Sequence, residues 1–136
     1  MARTTANFRA LRELCGITQQ QAADDLGVRV RTVKRWESGE VPAPDDAVRY
    51  IADAAADHTR AVRERVGEIA ARADPGADEV CLQYYRTQAQ ADLAGDTDPY
   101  QFSNAVTRSI AERLEAMGYR VSFSYPDEER IYDREV

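Results

Sequence analysis

The sequence predicts a mainly α chain that ends in a small α+β tail. Apolar residues recur every three or four positions as far as residue 73, which is the period of helices. Two short stretches nearer the C-terminus instead alternate along the chain, which is the period of strands. Asp74-Pro75-Gly76 separates the two patterns. We therefore expect a helical domain over residues 1–74, a strand-helix-strand domain over residues 78–126, and an acidic tail over residues 127–136.

Three short helices are predicted before residue 40. The first covers residues 6–15, and its apolar face is formed by Phe8, Leu11, Leu14 and Cys15. Thr18 is expected to cap the second helix, because Gln21 follows three residues later as in a capping box, and Gly27 ends it. The third covers residues 30–37 and ends at Ser38 and Gly39.

The third helix separates apolar from basic residues. Val33 and Trp36 lie three apart on one face, so we expect them in the core rather than in a binding site. The segment from Val28 to Trp36 has no acid and carries the cations Arg29, Arg31, Lys34 and Arg35. Such a cluster suits a polyanion, even though the chain has a net charge of -6. The balance is seven basic against five acidic residues over 1–41, but six against twelve over 76–136.

Two further helices complete a predicted five-helix N-terminal domain. Asp45 is expected to cap the fourth, whose buried stripe is Val48, Ile51, Ala52 and Ala55. Residues 57–73 keep a helical composition, with Val62, Val66 and Ile69 spaced by four and three; they form the fifth helix or continue the fourth. His58 has no catalytic or metal-binding neighbour at a recognisable spacing, so a surface or capping position is expected.

Residues 78–126 are predicted to form a strand, a helix and a second strand. Asp98-Pro99 opens the helix and Gly118 ends it, and residues 88–93 add a short helical turn. A two-stranded sheet with one covering helix is marginally stable in water, so we expect a second copy to complete it. The alternating residues then form the homodimer interface: Val80, Leu82, Tyr84, Tyr119, Val121, Phe123 and Tyr125.

Several classes of protein do not fit this composition. No apolar stretch approaches the roughly 20 residues that cross a bilayer, and the N-terminal segment does not resemble a secretory signal, so we expect a cytoplasmic protein without membrane contact. Cys15 and Cys81 lie far apart and no histidine cluster is present, which argues against a disulfide framework or a metal site. No nucleophile, base and orienting group can be assembled, so we expect neither an enzyme nor a cofactor.

A short helix, a turn with glycine and a basic helix are typical of the helix-turn-helix, whose second helix enters the major groove. The run from Thr18 to Val28, followed by Thr32-Val33-Lys34-Arg35-Trp36-Glu37-Ser38-Gly39, resembles the xenobiotic-response-element family, which is similar to the Cro and lambda repressors. The resemblance covers residues 6–56. It implies a lambda-repressor-like fold and a sequence-specific regulator that binds double-stranded DNA.

The resemblance also implies roles for individual residues. Base-reading positions fall on Val30, Arg31, Lys34 and Arg35. Positions that contact backbone phosphate fall on Gln19, Thr32, Ser38 and Gly39, and we interpret Arg29 as a further phosphate contact. Arg12 and Glu37 match a structural ion pair of the family. Arg29 departs from the small polar cap that is common before the recognition helix, since arginine accepts no hydrogen bond from the helix N–H groups.

A narrower resemblance is to anti-CRISPR-associated autorepressors, carried by Arg35-Trp36-Glu37-Ser38-Gly39, Pro44-Asp45-Asp46 and the strand-rich tail. It implies a homodimer, encoded by a bacterium, a phage or a mobile element, that binds an inverted-repeat operator in its own promoter. The alternative is an antitoxin that represses its operon and neutralises a toxin through the tail. Activation instead of repression, binding of a small effector by the tail, and RNA binding stay open.

Overall fold

The structure is a computed structural model that describes residues 4–128. Its elements are, in chain order, α1 Thr5–Leu14, α2 Gln19–Leu26, α3 Val30–Ser38, α4 Asp45–Ala70, β1 Glu79–Gln83, α5 Gln88–Leu93, α6 Tyr100–Ala116 and β2 Arg120–Ser124. The chain divides into two compact units, of which the first ends at Thr59 and the second begins at Arg60. A mainly helical chain with a small sheet is therefore confirmed. Most of the predicted acidic tail, residues 129–136, lies outside the described residues.

The first unit has its own apolar core. Phe8, Val33, Trp36 and Ile51 are 0 to 5% exposed, and the rings of Phe8 and Trp36 meet edge to face with centroids 5.7 Å apart. Such ring pairs contribute beyond their buried area. The expectation that Val33 and Trp36 belong to the core is confirmed. Leu14 is 47% exposed, so its predicted place on the buried face of α1 is wrong. Cys15, the C-cap residue of that helix, is fully buried.

Helix α2 begins with the predicted cap. Thr18 Oγ1 accepts a hydrogen bond from the backbone N–H of Gln21 at 3.0 Å. The side chain of Gln21 does not reach back toward Thr18 as in a full capping box; its Nε2 donates to Asp25 Oδ1 at 2.7 Å, one turn further along the helix. Only half of the reciprocal pattern is therefore present.

The predicted fourth and fifth helices are one helix. Helix α4 runs for 26 residues without a break, because nothing from Asp45 to Ala70 interrupts it except Gly67 near its end. The described part of the N-terminal region thus has four helices, and the prediction of five is wrong. Asp45 lies within the first turn rather than before it, since Val48 N–H donates to the carbonyl of Pro44. An acid in a first turn still interacts favourably with the helix dipole.

The second unit has two parallel strands. Val80 pairs with Val121 and Leu82 with Phe123 in the β1–β2 register. Both α5 and α6 lie between the strands in sequence, so the order is strand-helix-helix-strand. Helix α5 covers the residues of the predicted short helical turn, and it adds a second helix to the predicted strand-helix-strand arrangement. Its core also takes in the C-terminal half of α4, through Val62, Val66 and Ile69. For that reason the division between the units falls at residues 59 and 60, earlier than the predicted domain boundary at residues 74–78.

Three single side chains bear on the expected chemistry. His58 is 4% exposed, so its expected surface position is wrong; it follows Ile51 by seven residues and precedes Val62 by four, which places it on the inward face of α4. Burial, with a smaller effect from the charge of Asp57, raises the pKa of the Cys15 thiol to about 11. Cys81 is exposed.

No group of residues among 4–128 has the composition of a metal site, and no helix there is long and apolar enough to cross a membrane.

Candidate nucleic-acid interface

The turn between α2 and α3 is three residues long and is closed by backbone hydrogen bonds. Gly27 has φ 67°, a conformation that favours glycine. The N–H of Gly27 donates to the carbonyl of Asp24, and the N–H of Val28 donates to that of Ala23 at 3.0 Å. This is the Schellman arrangement, which satisfies the last carbonyls of α2 and directs the chain into the next helix.

Helix α3 turns its apolar residues inward and its cations outward. Val33 is fully buried and Trp36 is 5% exposed, while Val30 and Thr32 are half-buried. The side chains of the predicted base readers Arg31, Lys34 and Arg35 are exposed. The burial of one face thus leaves a cationic surface on the other, which is the requirement for contact with a polyanion.

Arg29 is the N-cap residue of α3 and makes no side-chain capping hydrogen bond. Its carbonyl accepts from the N–H of Thr32 at 2.9 Å, so the helix begins without help from the arginine side chain. That side chain is exposed and adds a fourth cation beside the N-terminal turn. The departure from a small polar cap therefore leaves the start of α3 at Val30 and frees the guanidinium for solvent or an anion.

Arg12 on α1 and Glu37 on α3 lie together as a two-point ion pair. Arg12 Nε donates to Glu37 Oε2 at 2.7 Å and Nη2 donates to Oε1 at 3.0 Å. Their side chains are only 11% and 4% exposed. Arg12 Nη1 also donates to the carbonyl of Ile17, which ties the pair to the loop before α2. The contact thus fixes α3 relative to the preceding segments.

Gln19 joins the same group of side chains. Its Nε2 donates to Glu37 Oε1 at 3.1 Å, so the predicted phosphate ligand also steadies the ion pair. Burial raises the pKa of Glu37, but hydrogen bonds from Arg12 and Gln19, together with the charges of Arg12 and Arg9, lower it by more. The carboxylate of Glu37 therefore stays ionised at pH values below the usual pKa of a glutamate side chain.

The C-terminal end of α3 is a tight reversal. Gly39 has φ 84°, and a Cβ there would lie 3.0 Å from Thr5 Cγ2 on α1. Ser38 Oγ donates to the carbonyl of Arg35 at 3.2 Å. Ser38 and Gly39 are both exposed at this end of the helix, where the resemblance expects a phosphate contact.

The predicted dimer residues separate into two groups. Leu82 and Tyr119 are each 5% exposed and belong to the core of their own unit, where Tyr119 Oη donates to the carbonyl of Ala73. Phe123 is 48% exposed and packs edge to face on Tyr84, which in turn contacts Tyr125. Half-buried positions complete the second group: Val80, Tyr84, Val121 and Tyr125. Only this second group is accessible to a partner.

These helices agree with a known family. Residues 8–52, from α1 to the first turns of α4, match the protein-family model described as Helix-turn-helix. Residues 8–52 form a helix-turn-helix domain. The match supports the XRE-like family and a DNA-binding transcriptional regulator, a class that is usually not enzymatic. It covers less than half of the chain. No curated protein shows significant similarity to the chain.

Two polar contacts of the helix-turn-helix domain escape sequence reasoning. Tyr50 Oη on α4 donates to Asp25 Oδ2 on α2 at 2.6 Å, and burial together with this carboxylate raises the pKa of Tyr50. Arg35 Nη2 lies 3.2 Å from Glu40 Oε1 in the loop after α3. Neither pair has the spacing of three or four residues that predicts a contact along one helix. The one signal in the sequence is that Glu40 is the first acid after the basic cluster apart from Glu37.

Proposed function

We propose that the chain is a homodimeric autorepressor that binds an inverted-repeat operator in its own promoter. The observation that carries the proposal is the cationic outer face of α3 within a helix-turn-helix domain. In this fold the second helix lies in the major groove and the first crosses the DNA backbone. Repression follows when the bound protein occupies promoter DNA.

Sequence would be read by the outward side chains of α3. Arg31 and Arg35 can each donate two hydrogen bonds to guanine O6 and N7, which favours G·C pairs. Val30 is half-buried and packs against the core, so only its accessible part can contact a thymine methyl group, while Lys34 is exposed on the same helix. Gln19, Arg29, Thr32, Ser38 and Gly39 would contact phosphate, which positions α3 in the groove without adding sequence information.

The dimer would form through the second unit. Phe123, with Tyr84 and Tyr125 against it, offers an accessible aromatic surface on the strand that follows α6. A two-fold dimer would present two copies of α3 to half-sites about 34 Å apart, one helical turn of DNA. The inverted repeat in the operator is the counterpart of that symmetry.

The resemblance to anti-CRISPR-associated repressors supports an operon that also encodes an anti-CRISPR protein. The exposed Phe123 surface suits a protein partner of another kind as well, which keeps the antitoxin as the second candidate. The neighbouring genes distinguish the two: an adjacent small toxin gene favours the antitoxin, and an adjacent anti-CRISPR or phage gene favours the autorepressor.

The direct test is fluorescence anisotropy with the chain's own upstream DNA and a scrambled duplex at two salt concentrations. Phosphate contacts alone give affinity without sequence preference, so the low-salt and high-salt values must both be known. We expect preferential binding of the upstream fragment. Arg35→Ala should reduce the preference about 5- to 150-fold, since one guanine contact provides roughly 1 to 3 kcal/mol of discrimination.

Arg63→Ala is the matched control, because Arg63 is an exposed arginine of α4 outside the helix-turn-helix match. It should bind both duplexes as the wild type does. Equal weak binding of the two duplexes by the wild type would exclude autorepression and direct the search to other promoters. Sedimentation of the wild-type protein as a monomer at micromolar concentration would exclude the dimer.

A further inference from the structure

The loop after α3 brings a carboxylate to one of the expected base-reading arginines. Arg35 Nη2 and Glu40 Oε1 are 3.2 Å apart, and the two side chains are 44% and 61% exposed. Within residues 4–128 the structure gives Arg29, Arg31 and Lys34 no ion-pair partner. Arg35 therefore differs from the other three cations of this cluster, as far as the described part of the chain extends.

Hydrogen bonds of the loop fix Glu40 beside Arg35. The carbonyl of Arg35 accepts from Val41 N–H at 3.2 Å and from Ser38 Oγ at 3.2 Å. Glu40 N–H donates to Ser38 Oγ at 3.4 Å. Because Gly39 reverses the chain at positive φ, residues 38–41 fold over the last turn of α3. The carboxylate thus starts from a backbone position close to the guanidinium.

The ion pair uses only part of the guanidinium. An arginine side chain has five N–H donors in a fixed fork, and Glu40 engages Nη2 through a single oxygen. A guanine base needs two donors for O6 and N7. Enough donors remain for Arg35 to read guanine while Glu40 limits the directions in which the guanidinium points.

The same ion pair weakens the attraction of Arg35 for backbone phosphate. Sequence-independent affinity comes from cations that neutralise phosphates, and a carboxylate beside a cation offsets that charge. A base contact depends instead on the positions of the N–H donors of Arg35, and the ion pair leaves enough of these donors in place. We propose that Glu40 is a positioning residue that raises sequence specificity, by directing Arg35 toward a base and by lowering its attraction for phosphate. This inference rests on DNA binding through α3, as proposed above.

The test compares Glu40→Gln with Glu13→Gln. Glu13 is a matched control, because it also forms an exposed ion pair, with Arg9 on α1 at 2.6 Å. Anisotropy is measured with a duplex that the wild-type protein selects from a random-sequence library and with its scrambled counterpart. The readout is the ratio of the two Kd values, and circular dichroism verifies that each variant is folded.

We expect Glu40→Gln to lower the specificity ratio about two- to fivefold, the range of an exposed ion pair, mainly through tighter binding of scrambled DNA. The salt dependence on scrambled DNA should steepen by about one unit of slope, because one more cation meets phosphate. Glu13→Gln should leave the ratio unchanged. In an Arg35→Ala background, Glu40→Gln should no longer alter the ratio, since the side chain that Glu40 positions is gone.

An unchanged or higher ratio in Glu40→Gln would overturn the proposal, as it would mean that Glu40 competes with DNA for Arg35 or has no influence. An equal fall in the Arg35→Ala background would overturn it too, because Glu40 would then influence specificity independently of Arg35. A wild-type protein that selects no sequence would overturn both this inference and sequence-specific binding. The selected duplex need not come from the upstream region. The test of Glu40 can therefore still be interpreted if autorepression alone is disproved.

Discussion

One polar contact of low exposure in each unit invites comparison, because the two contacts are of different kinds. In the first, side chain meets side chain: the Arg12–Glu37 pair joins α1 to α3 and is nearly buried. In the second, side chain meets backbone: Asn104 Nδ2 donates to the carbonyl of Tyr85 at 2.9 Å and its Oδ1 accepts from the N–H of Tyr85 at 3.0 Å. The first kind fixes the angle of a helix, and the second fixes the path of a loop.

The surfaces that these contacts support also differ. The first unit exposes cations on α3. The second exposes Leu93, Met117 and Phe123, which are three of the four large hydrophobic side chains that are exposed in the described part of the chain. Exposed apolar side chains suit contact with protein, whereas a focused group of cations suits contact with DNA. The comparison therefore supports the proposed division, with DNA binding in one unit and association in the other.

The largest expected effect is the loss of the nearly buried ion pair of the first unit. Arg12→Ala leaves the carboxylate of Glu37 without its main partner, which should lower the free energy of unfolding by about 3 kcal/mol. Urea unfolding followed by circular dichroism measures the change. Arg9→Ala is the control, because Arg9 forms an ion pair from the same helix but is 64% exposed. Equal destabilisation by the two variants would contradict the structural role of the Arg12–Glu37 pair.

The second prediction concerns the loop contact of the second unit. Asn104→Leu removes both hydrogen bonds to Tyr85 and leaves its N–H and carbonyl without them, so we expect a loss of about 2 kcal/mol in the free energy of unfolding. Urea unfolding of Gln101→Leu, a half-buried position on the same helix, gives the comparison. If Asn104→Leu is as stable as the wild type, side-chain-to-backbone contacts do not hold this unit together.

The local features of the helix-turn-helix domain could be predicted from sequence because their causes lie within a few residues. Thr18 caps a donor three positions away, and Gly27 ends a helix through bonds to the turn before it. The contacts of Arg35 with Glu40 and of Tyr50 with Asp25 depend on how a loop reverses or how two helices pack, which no spacing encodes. Those contacts therefore required the structure.

The strand-containing region, residues 78–126, was harder to predict for a related reason. Alternation marks a strand and its two faces, but it does not tell whether an apolar face meets the chain's own helices or a second copy. Leu82 packs in its own unit while Phe123, its partner in the strand register, is 48% exposed. The predicted fourth and fifth helices are one helix because no residue between them interrupts it, and the helical composition of residues 57–73 fits a continuation of the fourth helix as well as a separate fifth one.

The third prediction sharpens the role of the second unit in association. Phe123→Ala should weaken dimerisation about tenfold, because it truncates an exposed aromatic side chain at the proposed interface. Leu93→Ala is the control: Leu93 is 90% exposed but lies on α5, outside the proposed interface. Sedimentation equilibrium gives both dissociation constants. A larger effect of Leu93→Ala would move the interface to α5.

The smallest expected effect is the pH dependence of the first unit. The net lowering of the Glu37 pKa in the folded protein means that the ionised form contributes stability above the ordinary value of 4.5. That contribution is lost as the pH falls from 4.5 through the lower pKa of the folded state, since the carboxyl group then takes up a proton in both states. The difference in free energy of unfolding between the wild type and Glu37→Gln should therefore shrink over this acid range. Urea unfolding of both proteins at a series of pH values measures it. A difference that stays constant with pH would show that Glu37 stabilises α3 through shape and hydrogen bonding alone, and the contrast between a charge-held first unit and a backbone-held second unit would then fail.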